Sequence, residues 1–163
     1  MPIIYLETHI KASIDLCFDL SRSIDLHSIS VSQTKEKAVA GVTTGLIELN
    51  GFVTWEAVHF GIKQRLTSKI TAFNRPFHFR DEQLKGAFKS IKHDHYFESK
   101  DGYVLMKDYF NYESPFGVLD KVFNTLVLTN YLKKFLIQRN KTIKEFAETD
   151  KWKLVLNEKI LGE

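Results

Sequence analysis

The residues best equipped for chemistry are His93 and His95, one residue apart, and Asp108, which lies beyond the next turn. Successive side chains on a strand point to opposite faces, so a His-x-His run on a strand places both imidazoles on one face. The same parity brings Asp81 and Gln83 to that face, and His59 and Gln64 join it from an earlier hairpin. Pairing about a turn at Lys100-Asp101 sets Phe97 opposite Val104, His95 opposite Met106 and His93 opposite Asp108. Directly opposed residues are about 5 Å apart at Cβ, within hydrogen-bonding reach for an imidazole and a carboxylate. Three readings of this group follow. It is a structural network that satisfies buried polar groups. It orients a ligand's polar atom in a mostly apolar pocket. Or it does chemistry, as a general acid-base pair or as a metal site made of His93, His95 and a carboxylate. With no Cys and no third matched His beside them, no metal and no cofactor are assigned.

The elements that must position these side chains are legible from hydrophobic period and turn residues. Ile4, Leu6, Thr8 and Ile10 alternate with Ile3, Tyr5, Glu7 and His9, which predicts a first strand. Ser13 and Ser23 are N-cap residues for two short helices, the first ending near Arg22. Val31 to Ala40 reads as a strand, and Gly41 to Gly45 as a loop at a pocket rim; it lacks the lysine of a phosphate loop. Around Phe60-Gly61 a hairpin pairs His59 with Ile62, Ala57 with Gln64, Trp55 with Leu66 and Val53 with Ser68 on one face. Thr54, Glu56, Lys63, Arg65 and Lys69 occupy the other, charged face. Strands follow over Phe77 to Gln83, Phe88 to Glu98 and Tyr103 to Tyr112, with Phe79, Ile91, Phe97, Met106, Phe110 and Tyr112 facing inward. From Ser114 to about Glu148 an apolar stripe that includes Leu119, Val122, Phe123, Leu126, Phe135, Leu136, Ile143 and Phe146 predicts one long helix. That stripe needs a surface to cover, and the apolar face of the sheet is the candidate. Arg139, on the stripe, reads as snorkelling or pairing with a carboxylate, with an anionic ligand as the lesser alternative. Trp55 reads first as a core plug and second as a stacking surface for a ligand.

Composition narrows the function class. Aromatic residues make up 13% of the chain, with 13 Phe, a generous supply for a single core or a core with an aromatic-lined cavity. The net charge of +3 is dispersed, and runs such as Lys133-Lys134 are short, which argues against nucleic-acid binding. Cys17 is the only cysteine, so no internal disulfide forms, and it reads as a small hydrophobe on a helix. Met1 to Ile10 has no signal-peptide pattern and no apolar run is long enough for a membrane span, so a cytoplasmic location is expected.

The order strand, two short helices, six strands, long helix resembles the START-like superfamily, also called SRPBCC or the polyketide cyclase/lipid transport superfamily. The segments Trp55-Glu56-Ala57-Val58-His59-Phe60-Gly61-Ile62, Phe79-Arg80-Asp81-Glu82-Gln83, Gly86-Ala87-Phe88, His93-Asp94-His95-Tyr96-Phe97, Ser114-Pro115-Phe116-Gly117 and Arg139-Asn140 look like a bacterial ligand-binding branch of it. The resemblance covers about residues 2 to 148. It implies an α+β helix-grip fold: a curved antiparallel sheet of about seven strands around a long C-terminal helix, enclosing a hydrophobic cavity. The expected organisation is one domain over 1–148 and a tail over 149–163. The expected function is binding, with transport or sequestration, of a small hydrophobic molecule or lipid. An enzyme of the cyclase/aromatase type in the same cavity is the alternative, and a protein-interaction module on the basic outer face a third reading. The expected ligand-binding set is Trp55, His59, Leu66, Phe79, Asp81, Gln83, His93, His95, Met106, Asp108 and Arg139. A homodimer is left open.

Overall fold

The computed structural model of the chain describes residues 2–114 and 123–157. Strand β1 (Ile3–Ile10) leads into helices α1 (Ile14–Ser21) and α2 (Ile24–Ser30). Strands β2 (Lys37–Gly41), β3 (Phe52–His59), β4 (Ile62–Asn74), β5 (His78–Lys85), β6 (Ser90–Lys100) and β7 (Tyr103–Glu113) follow, then helix α3 (Phe123–Glu148). The strands form one antiparallel sheet in the order β1-β7-β6-β5-β4-β3-β2, so β1 and β2 are the two edges. This is the helix-grip arrangement the sequence implies. Both short helices are capped as their serines predict: the Ser13 hydroxyl accepts from the Leu16 N–H and that of Ser23 from the Leu26 N–H.

Four local expectations are corrected. The segment from Val31 begins as a short 3-10 turn, Ser32–Thr34, that ends on Lys35 in the left-handed region, and β2 starts only at Lys37. The Gly41 to Gly45 loop does not rim the central cavity. It is pinned to α2, with the Asp25 carboxylate accepting from the Gly45 N–H at 2.8 Å and from the Thr44 hydroxyl. The β6–β7 hairpin turns at Asp101-Gly102, with Gly102 at φ +82°, so Lys100 pairs with Tyr103, Phe97 with Met106, His95 with Asp108 and His93 with Phe110. Only glycine takes a left-handed φ at no steric cost, and that fixes the register two residues away from a Lys100-Asp101 turn. Lastly, Leu126 is 62% exposed and does not cover the sheet. The buried face of α3 instead runs through Leu136, Arg139, Asn140, Ile143, Phe146 and Ala147. Leu119, Val122 and Pro115-Phe116-Gly117 lie outside the described residues, as does the side chain of Phe123.

The β3–β4 register is the expected one, from Val53 opposite Ser68 to His59 opposite Ile62. Phe60 and Gly61 both adopt positive φ, the conformation a two-residue hairpin demands. On the basic outer face of this hairpin Glu56 takes ion pairs from Lys63 and Arg65, each at 2.9 Å. Inside the sheet the apolar core falls into two groups. The larger gathers Phe18, Leu20, Trp55, Phe79, Phe97, Met106, Ile143 and Phe146, and Leu156 from the segment after α3 packs into it. The smaller gathers Ile4, Ile91, Phe110, Tyr112 and Leu136. On β6, β7 and α3 the residues separating the two are polar: His93 and His95, Asp108, and Arg139 with Asn140. A polar belt therefore crosses the interior between two apolar zones, and α3 is clamped over it. The two sheet edges are treated differently. β2 is short and carries a bulge between Ala38 and Ala40. At the end of β1, the Lys144 ammonium donates to the His9 carbonyl, and Glu148 accepts from the Lys11 N–H at 2.8 Å.

Candidate functional site

The belt is built on three adjacent strands and one helix. β6 carries His93 and His95, β7 places Asp108 opposite His95, and β5 places Asp81 opposite His93. Asp108 is fully buried. One of its oxygens, Oδ1, accepts from His93 Nε2 and from His95 Nδ1, both at 2.9 Å. Its other oxygen accepts from Asn140 Nδ2 at 2.7 Å, and Arg139 Nη1 lies 3.6 Å from Oδ1. His95 Nε2 stands 3.0 Å from Asp81 Oδ2, and His93 Nδ1 stands 3.8 Å from the same atom. Arg139 is locked from behind, since Nη2 donates to the Ser21 carbonyl at 3.0 Å. The rings are held by packing as well: Phe79 stacks on His95 with centroids 4.2 Å apart, and Phe110 meets His93 edge-on at 5.0 Å.

Electrostatics follow from this geometry. Burial pushes the His93 imidazole down to about 4, and the neighbouring His95 adds to the effect against the hydrogen bond to Asp108. His93 is therefore a neutral ring at neutral pH, donating through Nε2. Burial alone would raise the Asp108 carboxyl, but the hydrogen bonds from His93 and His95 outweigh it and hold the group well below the usual carboxylate range. Asp81 behaves in the same way: burial raises it, while the His95 hydrogen bond and the charges of His93, His95 and Arg139 bring it below its ordinary value. The belt is thus a pair of carboxylates facing two imidazoles, at least one of which is neutral.

Asp81, His93, His95 and Arg139 form one wall of a cavity of about 180 Å³ between α3 and the inner face of the sheet. Apolar lining comes from Val53, Trp55, Leu66, Ile70 and Phe79 of the sheet and from Leu132, Phe135 and Leu136 of α3, and Arg22, His27, Glu36 and Ser68 add further polar groups. An apolar cavity of roughly 150 Å³ takes up benzene, so this one has room for a ring or a short branched chain. At one end His59 hydrogen-bonds to the Tyr131 hydroxyl at 2.7 Å, and His27 lies tilted on Trp55 with centroids 4.3 Å apart. Burial lowers the His59 imidazole, partly offset by the charge of Glu36.

Of the expected set, Trp55, His59, Leu66, Phe79, Asp81, His93, His95 and Arg139 line this cavity; Gln83, Met106 and Asp108 do not. Met106 is packed behind the wall, where the Ser21 hydroxyl approaches its sulfur at 3.5 Å. Asp108 lies one step back, and meets the cavity through the two histidines and Arg139. Gln83 donates to the Phe88 carbonyl at 2.7 Å and so ties down the β5–β6 turn. Gln64 and Ala57 border a separate void of about 60 Å³. Asn140 and Tyr131 belong to the site and are absent from the set expected on sequence. Asn140 carries a signal: a neutral amide next to Arg139 on the buried stripe of α3, where every polar side chain needs a partner.

No protein-family model matches the chain, and no curated protein matches it. Solved structures do. The protein TTHA0849 of Thermus thermophilus aligns with a TM-score of 0.68 at 16% identity, covering 87% of this chain and 97% of its own. Ara h 8.0201 aligns at 0.65 and 14% identity, covering 90% and 97%. The major latex-like protein 151 of Panax ginseng aligns at 0.64 and 18% identity, covering 91% and 98%. At such identities the likeness is one of fold, and it agrees with the element order and the sheet: the chain has the helix-grip fold.

Proposed function

We propose that the chain binds a small, largely apolar molecule in the central cavity and carries or sequesters it in the cytoplasm. The observation that supports this best is a cavity lined mainly by apolar and aromatic side chains, with Asp81, His93, His95 and Arg139 converging on one part of it and a second polar group, His27, Glu36, His59 and Tyr131, at another. In this reading Trp55, Leu66 and Phe79 grip the apolar body. Asp81, His93, His95 and Arg139 orient a polar end, and His59 with Tyr131 stands at the entrance. Fluorescence titration with anilinonaphthalene sulfonate is the test. Saturable binding to the native chain, competed by fatty or aromatic acids and weakened by Trp55→Ala, is expected. A native chain that binds no apolar probe would overturn the reading. A second reading, a cyclase- or aromatase-type enzyme acting on an apolar substrate, draws support from one observation. His95 is held between two carboxylates at the cavity wall, an arrangement suited to passing a proton.

A further inference from the structure

We infer that Asp81, His93 and His95 form a mononuclear site for a divalent transition-metal ion on the cavity wall, with Asp108 as the group that orients both histidines. One ligand atom from each of Asp81, His93 and His95 lies within 4.8 Å of the other two, and His93 Nδ1 and His95 Nε2 are the nitrogens that approach Asp81 Oδ2. Two atoms each about 2.0–2.1 Å from a tetrahedral Zn²⁺ lie about 3.3 Å apart. The separations from Asp81 Oδ2 are 3.0 Å to His95 and 3.8 Å to His93, on either side of that value, so small side-chain rotations close the site.

The stronger observation lies behind the ligands. Metal-binding histidines hand their second ring nitrogen to a carboxylate or carbonyl, which fixes the tautomer and aims the lone pair. Here one oxygen of Asp108 takes that second nitrogen from both rings, Nε2 of His93 and Nδ1 of His95. Asn140 in turn holds the other Asp108 oxygen. With those protons committed, the lone pairs of His93 Nδ1 and His95 Nε2 face a third electron-rich atom, Asp81 Oδ2. A proton on His95 Nε2 bridges only one of these pairs, whereas a cation engages all three atoms.

Two imidazoles and one carboxylate suit Zn²⁺, Co²⁺ or Fe²⁺ and fall short of the oxygen-rich shells of Ca²⁺ and Mg²⁺. Three protein ligands leave coordination positions open. All three ligand residues line the cavity, so those positions face the apolar chamber. The class of ligand this selects, resting on the binding function proposed above, is an apolar molecule ending in an oxygen donor such as a carboxylate, enolate or phenolate.

The test uses the full chain, stripped with a chelator and titrated with Co²⁺. Visible d–d bands of a four- or five-coordinate ion are expected at one Co²⁺ per chain, bleached by Zn²⁺, with a higher Tm in Zn²⁺. Asp81 is not fully buried, so Asp81→Asn keeps the fold; it is expected to weaken Co²⁺ binding at least ~100-fold, and His93→Gln similarly. A stripped chain without such bands in excess Co²⁺, or an Asp81→Asn variant that binds as well as the parent, overturns the assignment. Anilinonaphthalene sulfonate binding by the metal-free chain is read in parallel. Loss of that signal alone counts against the apolar ligand, and loss of the Co²⁺ bands alone counts against the metal.

Discussion

Among the described residues, two carboxylates have no exposure at all, Asp19 on α1 and Asp108 on β7, and their surroundings differ in kind. Asp19 is clamped by guanidinium groups. Arg22 reaches it at 2.7 Å and Arg75, from the chain just beyond β4, also at 2.7 Å. Arginine stays charged at every relevant pH and offers a fixed fork of donors, so this pairing has a single state. Asp108 is met by two imidazoles and an amide, with a guanidinium only at 3.6 Å. An imidazole keeps a second nitrogen free for other work. The Asp19 clamp fastens the α1 plug to the end of the sheet, while the Asp108 cluster presents nitrogen lone pairs to a cavity. Equal burial therefore serves closure in one place and, in the proposed function, recognition in the other.

Mutations at the two carboxylates test that contrast directly. Removing Asp19 takes the buried carboxylate from Arg22 and Arg75, which keep only Glu48 with the Ile47 carbonyl and Asp15, respectively, and Asp19→Ala is expected to destabilise the fold by about 3 kcal/mol, the low end for breaking a buried pair. Urea denaturation followed by circular dichroism measures it. Asp108→Ala leaves the imidazole and amide donors of His93, His95 and Asn140 unpaired and is expected to cost less, about 1–3 kcal/mol. If Asp108→Ala proved the costlier change, the distinction between a fastening and a presenting carboxylate would fail. At the entrance proposed for the cavity, Tyr131→Phe removes one half-buried hydrogen bond to His59 and is expected to cost about 0.5–1.5 kcal/mol while changing the rate of probe entry in stopped-flow fluorescence. Unchanged stability and unchanged entry rates would remove Tyr131 from the entrance.

The smallest effect belongs to Cys17, two residues before Asp19. Burial pushes its thiol up from 9.0 to about 12. Above about pH 9 the unfolded thiol releases a proton that the folded one keeps, so the unfolded state gains and stability falls as pH rises through that window. Cys17→Ala should flatten this part of the alkaline stability curve relative to the parent. Identical slopes in the two proteins would show that the thiol titrates normally inside the fold. The same burial makes Cys17 inert to thiol reagents until the chain unfolds.

The sequence carries face assignments better than it carries neighbours. Period-2 alternation puts Phe79, Ile91, His93, His95, Phe97, Met106 and Asp108 on the inner face, because a sheet with one apolar side penalises any odd slip. An even slip leaves every face intact, which is why alternation alone tolerates a β6–β7 hairpin displaced by two residues. Lys100-Asp101-Gly102 admits two turn positions, and the preference of glycine for positive φ decides between them. The correction matters for the site: with His95 opposite Asp108 and His93 diagonal to it, one carboxylate oxygen reaches both rings. The Phe60-Gly61 hairpin has no such ambiguity. Helix α3 is harder to read, because its apolar stripe is broad enough to fit several rotations. Which positions face the sheet depends on contacts distant in sequence, such as Arg139 with the Ser21 carbonyl and Asn140 with Asp108. Apolar character alone therefore points to Leu126 as a covering residue and says nothing for Asn140.

The treatment of the two sheet edges has a consequence for how copies of this chain meet. A strand with unpaired backbone groups is a template on which another chain can extend the sheet, the first step toward aggregates and swapped assemblies. β2 is a poor template, because it is only five residues long and its bulge breaks the repeat a visiting strand would need. At the end of β1, α3 spends Lys144 and Glu148 on the His9 carbonyl and the Lys11 amide, which occupies sites where such a visitor would start to zip. The helix that grips the cavity also guards a border, so replacing Lys144 and Glu148 by alanine, which spares the core residues of that turn, is expected to expose β1 to self-association, read by light scattering, while leaving the belt residues in place.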